Sequence, residues 1–194
     1  MRIGIYSGSF DPIHTGHAMV ANYCAQWGGV DEVWLMVSRL NPLKEGSHPI
    51  EDLHRLHMVK LVAEMCRNVK ASDFELGLPQ PSYTYVTLCR LREQYPEHEF
   101  VLIVGSDNWA NFGRWRDAHK IIRDFGLLIY PRPGYEIPEE PPAGVEVLPN
   151  GPTSRVSSTF IREAVALDRN INFFVPTVVA EYIKEHNLYS LTPK

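Results

Sequence analysis

The sequence predicts a doubly wound α/β domain, a parallel sheet with helices on both faces, and three observations carry that prediction. Short apolar runs at 2–6, 33–37, 100–104 and 125–130 have the length and continuity of strands buried on both faces. Stretches of helical period lie between several of them. The polar and glycine-bearing motifs fall just after strands, at the carboxyl edge where open α/β sheets bind ligands. With 194 residues, 44% hydrophobic and 22% charged, a single domain spanning 1–194 with a sizeable core is expected.

A formal net charge of −4 argues against a general nucleic-acid or membrane-surface binder, so any polyphosphate site must be a local positive pocket. No run approaches membrane-spanning length and Met1-Arg2 lead straight into the first strand, so a cytoplasmic location is expected. Cys24, Cys66 and Cys89 show no C-x-x-C spacing and sit in segments read as helical, which fits reduced core thiols.

The first strand, 2–6, runs into S-G-S-F-D-P-I-H-T-G-H at 7–17, where Gly8, Asp11, Pro12 and Gly16 punctuate a loop before a helix from about 17 to 27. A strand, a small-residue turn and a helix converge free N–H groups and a positive helix end on one spot, the ground plan of a phosphate site. His14 and His17, three apart, can face one side and offer donors to the same anion. Alternatively one of them caps the helix. Zinc is the rival functional reading, but it needs a third ligand that the neighbouring sequence does not supply.

After the strand at 33–37 comes a loop at 38–49 containing N-P-L-K, whose Lys44 is either a solvated lysine or a cation at the carboxyl edge. A helix is expected at 50–65 with Ile50, Leu53, Leu56, His57, Lys60 and Leu61 facing the core. His54 and His57 repeat the H-x-x-H spacing mid-helix and are read as unrelated to the site; Arg55 is open between surface and phosphate. A short edge strand lies within 68–75, and Ser82 is expected to cap a helix at 83–95.

Gly105-Ser106-Asp107 follows the strand at 100–104. The glycine permits close ligand approach and the aspartate either binds hydroxyls or caps the next turn. Trp109 and, taken alone, Trp115 read as core. The strand at 125–130 ends in P-R-P-G with Arg132, and a proline- and glutamate-rich loop to 152 holds a short strand at 145–148. At 156–162, V-S-S-T-F-I-R opens a helix whose Ser157, Ser158 and Thr159 can cap it or donate to phosphate, with Arg162 one turn in. A closing helix at 176–186 turns Val178, Val179, Tyr182 and Ile183 to one side.

G-S-F-D-P-I-H-T-G-H at 8–17 resembles the signature of the H-x-G-H nucleotidyltransferases, and S-S-T-F-I-R at 157–162 resembles their second signature. S-Y-T-Y-V-T-L at 82–88 is similar to a stretch of the bacterial nicotinate-nucleotide adenylyltransferases, as are N-P-L-K, G-S-D, F-G-R-W, R-P-G and the N-L-Y at 187–189. The likeness covers almost the whole chain; Ser7 departs from it, where glycine is usual.

The resemblance implies a Rossmann-like sheet of the nucleotidyltransferase type. The implied activity is transfer of the adenylyl group of ATP to nicotinate mononucleotide, with Mg²⁺ carried on the ATP phosphates and no nucleic-acid or membrane partner. It implies catalytic roles for His14, His17, Lys44 and Arg162. It also implies substrate contacts from Gly8, Ser9, Phe10, Thr84, Tyr85, Gly105, Asp107, Trp115, Arg116, Arg132, Ser157, Ser158 and Thr159. In the family the tryptophan stacks on the pyridine ring and main-chain N–H groups, here at Tyr85 and Arg116, meet the carboxylate. Another acceptor, such as nicotinamide mononucleotide or phosphopantetheine, or an idle nucleotide-binding module, are the alternatives.

Overall fold

Alternate residues of each central strand serve opposite cores. In β4 (Glu99–Gly105), Phe100, Leu102 and Val104 face one hydrophobic cluster while Val101 and Ile103 face the other. The computed structural model describes residues 1–39, 50–149 and 151–190. Around β4 the chain runs through β1 (Arg2–Gly8), α1 (Thr15–Trp27), β2 (Glu32–Val37), α2 (Asp52–Glu64), β3 (Val69–Ser72) and α3 (Thr84–Gln94). Past it come α4 (Ser106–Trp109), α5 (Ala118–Phe125), β5 (Leu127–Tyr130), β6 (Val145–Val147), α6 (Ser158–Ala166) and α7 (Thr177–Glu185).

All pairings are parallel, in the order β3-β2-β1-β4-β5-β6. The order reverses between β1 and β4, so their carboxyl ends, at Gly8 and Gly105, open a crevice between diverging connections. Side chains of α1, α2, α6 and α7 join one core, including Val20, Val59, Ile161 and Val179, while Leu88 of α3 and Ile121 of α5 join the other. Helices therefore cover both faces, as expected.

Several sequence expectations are corrected. The buried face of α2 is Arg55, Leu56, Met58, Val59, Val62 and Ala63, whereas Leu53 is 72% exposed and His57 and Lys60 point outward. The denser apolar set at 58, 59, 62 and 63 sets the helix phase. Ser82 does not cap α3: Tyr83 stands at the N-cap and the Ser82 hydroxyl donates to Glu75 at 2.9 Å. Helix α5 was not anticipated from the sequence, although Ala118, Ile121, Ile122 and Phe125 follow helical spacing. Trp109 is half-buried against the rim of its core and stacks on Phe112 at 5.9 Å between ring centres. The three cysteines are free thiols; Cys24 is buried.

Candidate active site

The loop leaving β1 is built around two glycines and a stacked pair of imidazoles. A Cβ on Gly8 would lie 3.0 Å from the Phe10 ring, and one on Gly16 would lie 3.0 Å from both Cε1 and Nδ1 of His14. Gly16 thus lets the His14 ring fold down onto the first turn of α1. There it stacks on His17 at 3.7 Å between centres, with planes 24° apart.

The His14 main-chain N–H donates to His17 Nδ1 at 3.4 Å. An accepting Nδ1 leaves the proton of neutral His17 on Nε2, where it can be donated to an anion. Phe10, at φ 46°, is almost wholly buried and sets its ring edge-on to His17 at 5.0 Å. Only its main chain is therefore available to a ligand.

Burial, and secondarily the Arg132 charge, pushes His14 down from 6.5 to about 4, so the ring is neutral at pH 7. Its buried Nδ1 has no hydrogen-bond partner. The stacking also disfavours zinc. Lone pairs lie in the ring planes, and two nearly parallel planes do not converge on one ion about 2.0 Å from each. Among the described residues no group of three or more His, Cys, Asp or Glu is placed to hold a metal.

The second signature packs directly onto this loop. Arg162 Nη1 donates to the Asp11 carbonyl at 2.7 Å, and the Ser158 hydroxyl donates to the Pro12 carbonyl at 2.9 Å. Ser157 caps α6 by accepting from the Phe160 N–H at 3.2 Å, and Thr159 accepts from Arg162 Nη2 at 3.3 Å. Two of the five donors of Arg162 hold the loop and its own helix, leaving the rest of the fork for an anion. The Asp11 carboxylate, 3.8 Å from Arg162, also accepts from the Tyr189 hydroxyl at 2.8 Å. Burial and that carboxylate push the Tyr189 phenol far above its ordinary range, so it stays a donor.

Across the crevice, a Cβ on Gly105 would sit 2.3 Å from Asp107 Oδ1 and 2.6 Å from Arg132 Nε. These two groups lie 3.3 Å apart. The Ser106 hydroxyl accepts from the Arg132 N–H at 2.8 Å, tying the end of β4 to the residue after Pro131. Farther along, Arg116 lies over the Tyr83 ring at 4.3 Å, which brings the start of α3, with Thr84 and Tyr85, beside Trp115 and Arg116. The Tyr85 phenol is committed to Asp124 at 2.8 Å, so its main chain alone can serve a ligand. Trp115 is half-buried, tilted on Phe112 at 5.1 Å. Lys44 lies outside the described residues. His54 and His57 sit apart from the loop, around Tyr182: His54 Nδ1 is 2.8 Å from its hydroxyl and His57 stacks on its ring at 4.5 Å.

The family profile described as "Cytidylyltransferase-like" matches residues 5–164. A "Probable nicotinate-nucleotide adenylyltransferase" of Bacteroides thetaiotaomicron is 45% identical over 99% of this chain and 95% of its own. The chain belongs to the nicotinate-nucleotide adenylyltransferase family. A second family member with the same description, from Flavobacterium johnsoniae, is 41% identical over 97% of this chain and 99% of its own. The fold is shared with Plasmodium falciparum nicotinic acid mononucleotide adenylyltransferase complexed with NaAD. That structure has a TM-score of 0.79 and 23% identity, covering 97% of both chains.

The sequence left Arg55 open between surface and phosphate and read Asp11 only as part of the turn; the contacts that Arg55, Asp11, Ser106 and Tyr189 make in this site region were not foreseen. A sequence signal existed for Arg55: it shares the helical phase of Met58, Val59 and Val62, and a cation on a core-facing phase must have partners.

Proposed function

We infer that the protein transfers the adenylyl group of ATP to nicotinate mononucleotide, giving nicotinate adenine dinucleotide and pyrophosphate. A phosphate oxygen of the mononucleotide attacks the α-phosphorus, a new P–O bond forms, and the bond to the β-phosphate oxygen breaks as pyrophosphate leaves. The nucleophile is already anionic at neutral pH, so no side-chain nucleophile or strong base is required. Catalysis then rests on positioning and on donors aimed at charge developing around the phosphorus.

The observation that carries this reading is the grip of Arg162 and Ser158 on the Asp11-Pro12 turn that leads into His14. It sets imidazole and guanidinium donors, from opposite ends of the chain, around one loop. In this reading His14, His17, Arg162 and Lys44 serve the triphosphate together with Gly8, Ser9, Phe10, Arg132 and the start of α6 at Ser157, Ser158 and Thr159. Gly105 and Asp107 receive the adenosine ribose. Trp115 stacks on the pyridine, and the main chain at Thr84, Tyr85 and Arg116 meets its carboxylate.

Mg²⁺ would be held through the ATP phosphates that His14, His17, Arg132 and Arg162 position, and it would supply positive charge to offset theirs. The donor set fits that arrangement, since imidazole and guanidinium N–H groups suit phosphate oxygens, and the carboxylates of Asp11 and Asp107 lie against arginines. Pyrophosphate release from ATP should be measured with nicotinate mononucleotide, nicotinamide mononucleotide and phosphopantetheine as parallel acceptors. The first should give the highest kcat/KM. Greater activity with another acceptor would reassign the substrate, and release with none would end the transferase reading.

A further inference from the structure

Arg55 lies in the first half of α2, only 1% exposed, and its guanidinium reaches the end of the sheet rather than solvent. Nη1 donates to two carbonyls, those of Ser9 and of Ser38, the latter at 2.9 Å. These are the first residues beyond β1 and beyond β2, so one nitrogen ties together the ends of two neighbouring strands. Nη2 donates to Asp52 Oδ1 at 2.6 Å, one turn back on the same helix. Nε is buried without a hydrogen-bond partner.

That last contact pattern is costly for stability alone. A buried guanidinium with an unmet N–H is a poorer core filler than an apolar side chain of similar volume. Its geometry has another consequence. In a planar trans peptide the C=O and the following N–H point in opposite directions. Holding the Ser9 carbonyl toward α2 therefore aims the Phe10 N–H away from α2. Phe10 itself is left-handed, at φ 46°, and a residue of that conformation within a turn gathers successive N–H groups into a concavity suited to an anion.

We propose that Arg55 is a positioning residue for nucleotidyl transfer. It fixes the Ser9-Phe10 peptide so that the turn before His14 presents its N–H groups to the triphosphate, and it sets the direction in which the chain leaves β2. This deepens the adenylyl-transfer reading and rests on it. It touches no substrate and acts through the turn.

The test compares wild type, Arg55→Lys and Arg55→Met in steady-state kinetics and, separately, in calorimetric binding of Mg-ATP without acceptor. Arg55→Met should lower kcat about 100-fold, as expected when a preorganised donor is misplaced. It should weaken Mg-ATP binding about tenfold and leave the KM for nicotinate mononucleotide within about threefold. Arg55→Lys, keeping a cation but not the fork, should recover about a tenth or more of wild-type kcat.

A kcat for Arg55→Met within threefold of wild type, or equal losses in both variants and for both substrates in step with thermal stability, would overturn the proposal. Should Arg55→Met not fold, Asp52→Ala removes the Nη2 anchor from a 40% exposed position and decides the matter. Lowered kcat in a folded Asp52→Ala protein supports the role, and unchanged kcat refutes it. A wild type inert toward every acceptor would end the transfer reading, while the Mg-ATP affinities would still report on Arg55.

Discussion

Replacing His14 with glutamine should flatten the acid side of the stability curve. In the unfolded chain the imidazole titrates near 6.5, and in the folded protein burial and Arg132 hold it near 4, so between these values the unfolded state binds more protons. The folded-state value is the depressed one. The stabilisation from keeping the ring neutral is therefore fully present above pH 6.5 and is lost as pH falls through the interval to about 4. Lowering from 6.5 to about 4, at roughly 1.4 kcal/mol per pH unit, corresponds to about 3 kcal/mol. Urea unfolding at several pH values from 7 to 4 reads this directly. The stability advantage of wild type over His14→Gln should shrink by about 3 kcal/mol across that range. Parallel curves would mean that His14 titrates alike in both states and would remove the buried neutral ring from the account.

Three further substitutions probe separate parts of the site. His17→Ala should lower kcat by about 100- to 1,000-fold, the cost of one preorganised donor, and kinetics within a fewfold of wild type would take His17 out of the chemistry. Trp115→Ala should raise the KM for nicotinate mononucleotide about five- to tenfold with kcat nearly unchanged, consistent with losing one stacking contact, and an unaltered KM would make Trp115 a packing residue. Gly105→Ala forces Asp107 and Arg132 from their places, because its Cβ would lie 2.3 and 2.6 Å from them. The KM for ATP should rise about tenfold, and a wild-type value would show that these side chains can yield freely.

The parts of the molecule legible in the sequence are those whose cause is local. Apolar runs located the strands at 33–37 and 100–104 within a residue or two of β2 and β4, and the small-residue turn with paired histidines located the loop after β1. Contacts made across the sequence were not legible. Arg162 reaches Asp11 across 151 positions, Tyr189 reaches the same residue across 178, and Arg55 reaches Ser9 across 46. No spacing rule relates such pairs. The missed phase of α2 has a different origin. The predicted core face includes Leu53 and leaves out Val59, although Leu53 lies in the first turn and is exposed while Val59 is fully buried. Ser82 looked like a cap because a serine preceded a helical stretch. In the structure the helix starts later and the hydroxyl is drawn to Glu75, whose carboxyl burial pushes upward in pKa.

A crystal structure with a non-hydrolysable ATP analogue and nicotinate mononucleotide tests the central claim most directly. One triphosphate should lie between His17 Nε2 and the Arg162 fork, within hydrogen-bond reach of both, with its phosphates over the turn at Phe10. A triphosphate that touches one of these residues while the other faces elsewhere would contradict the account.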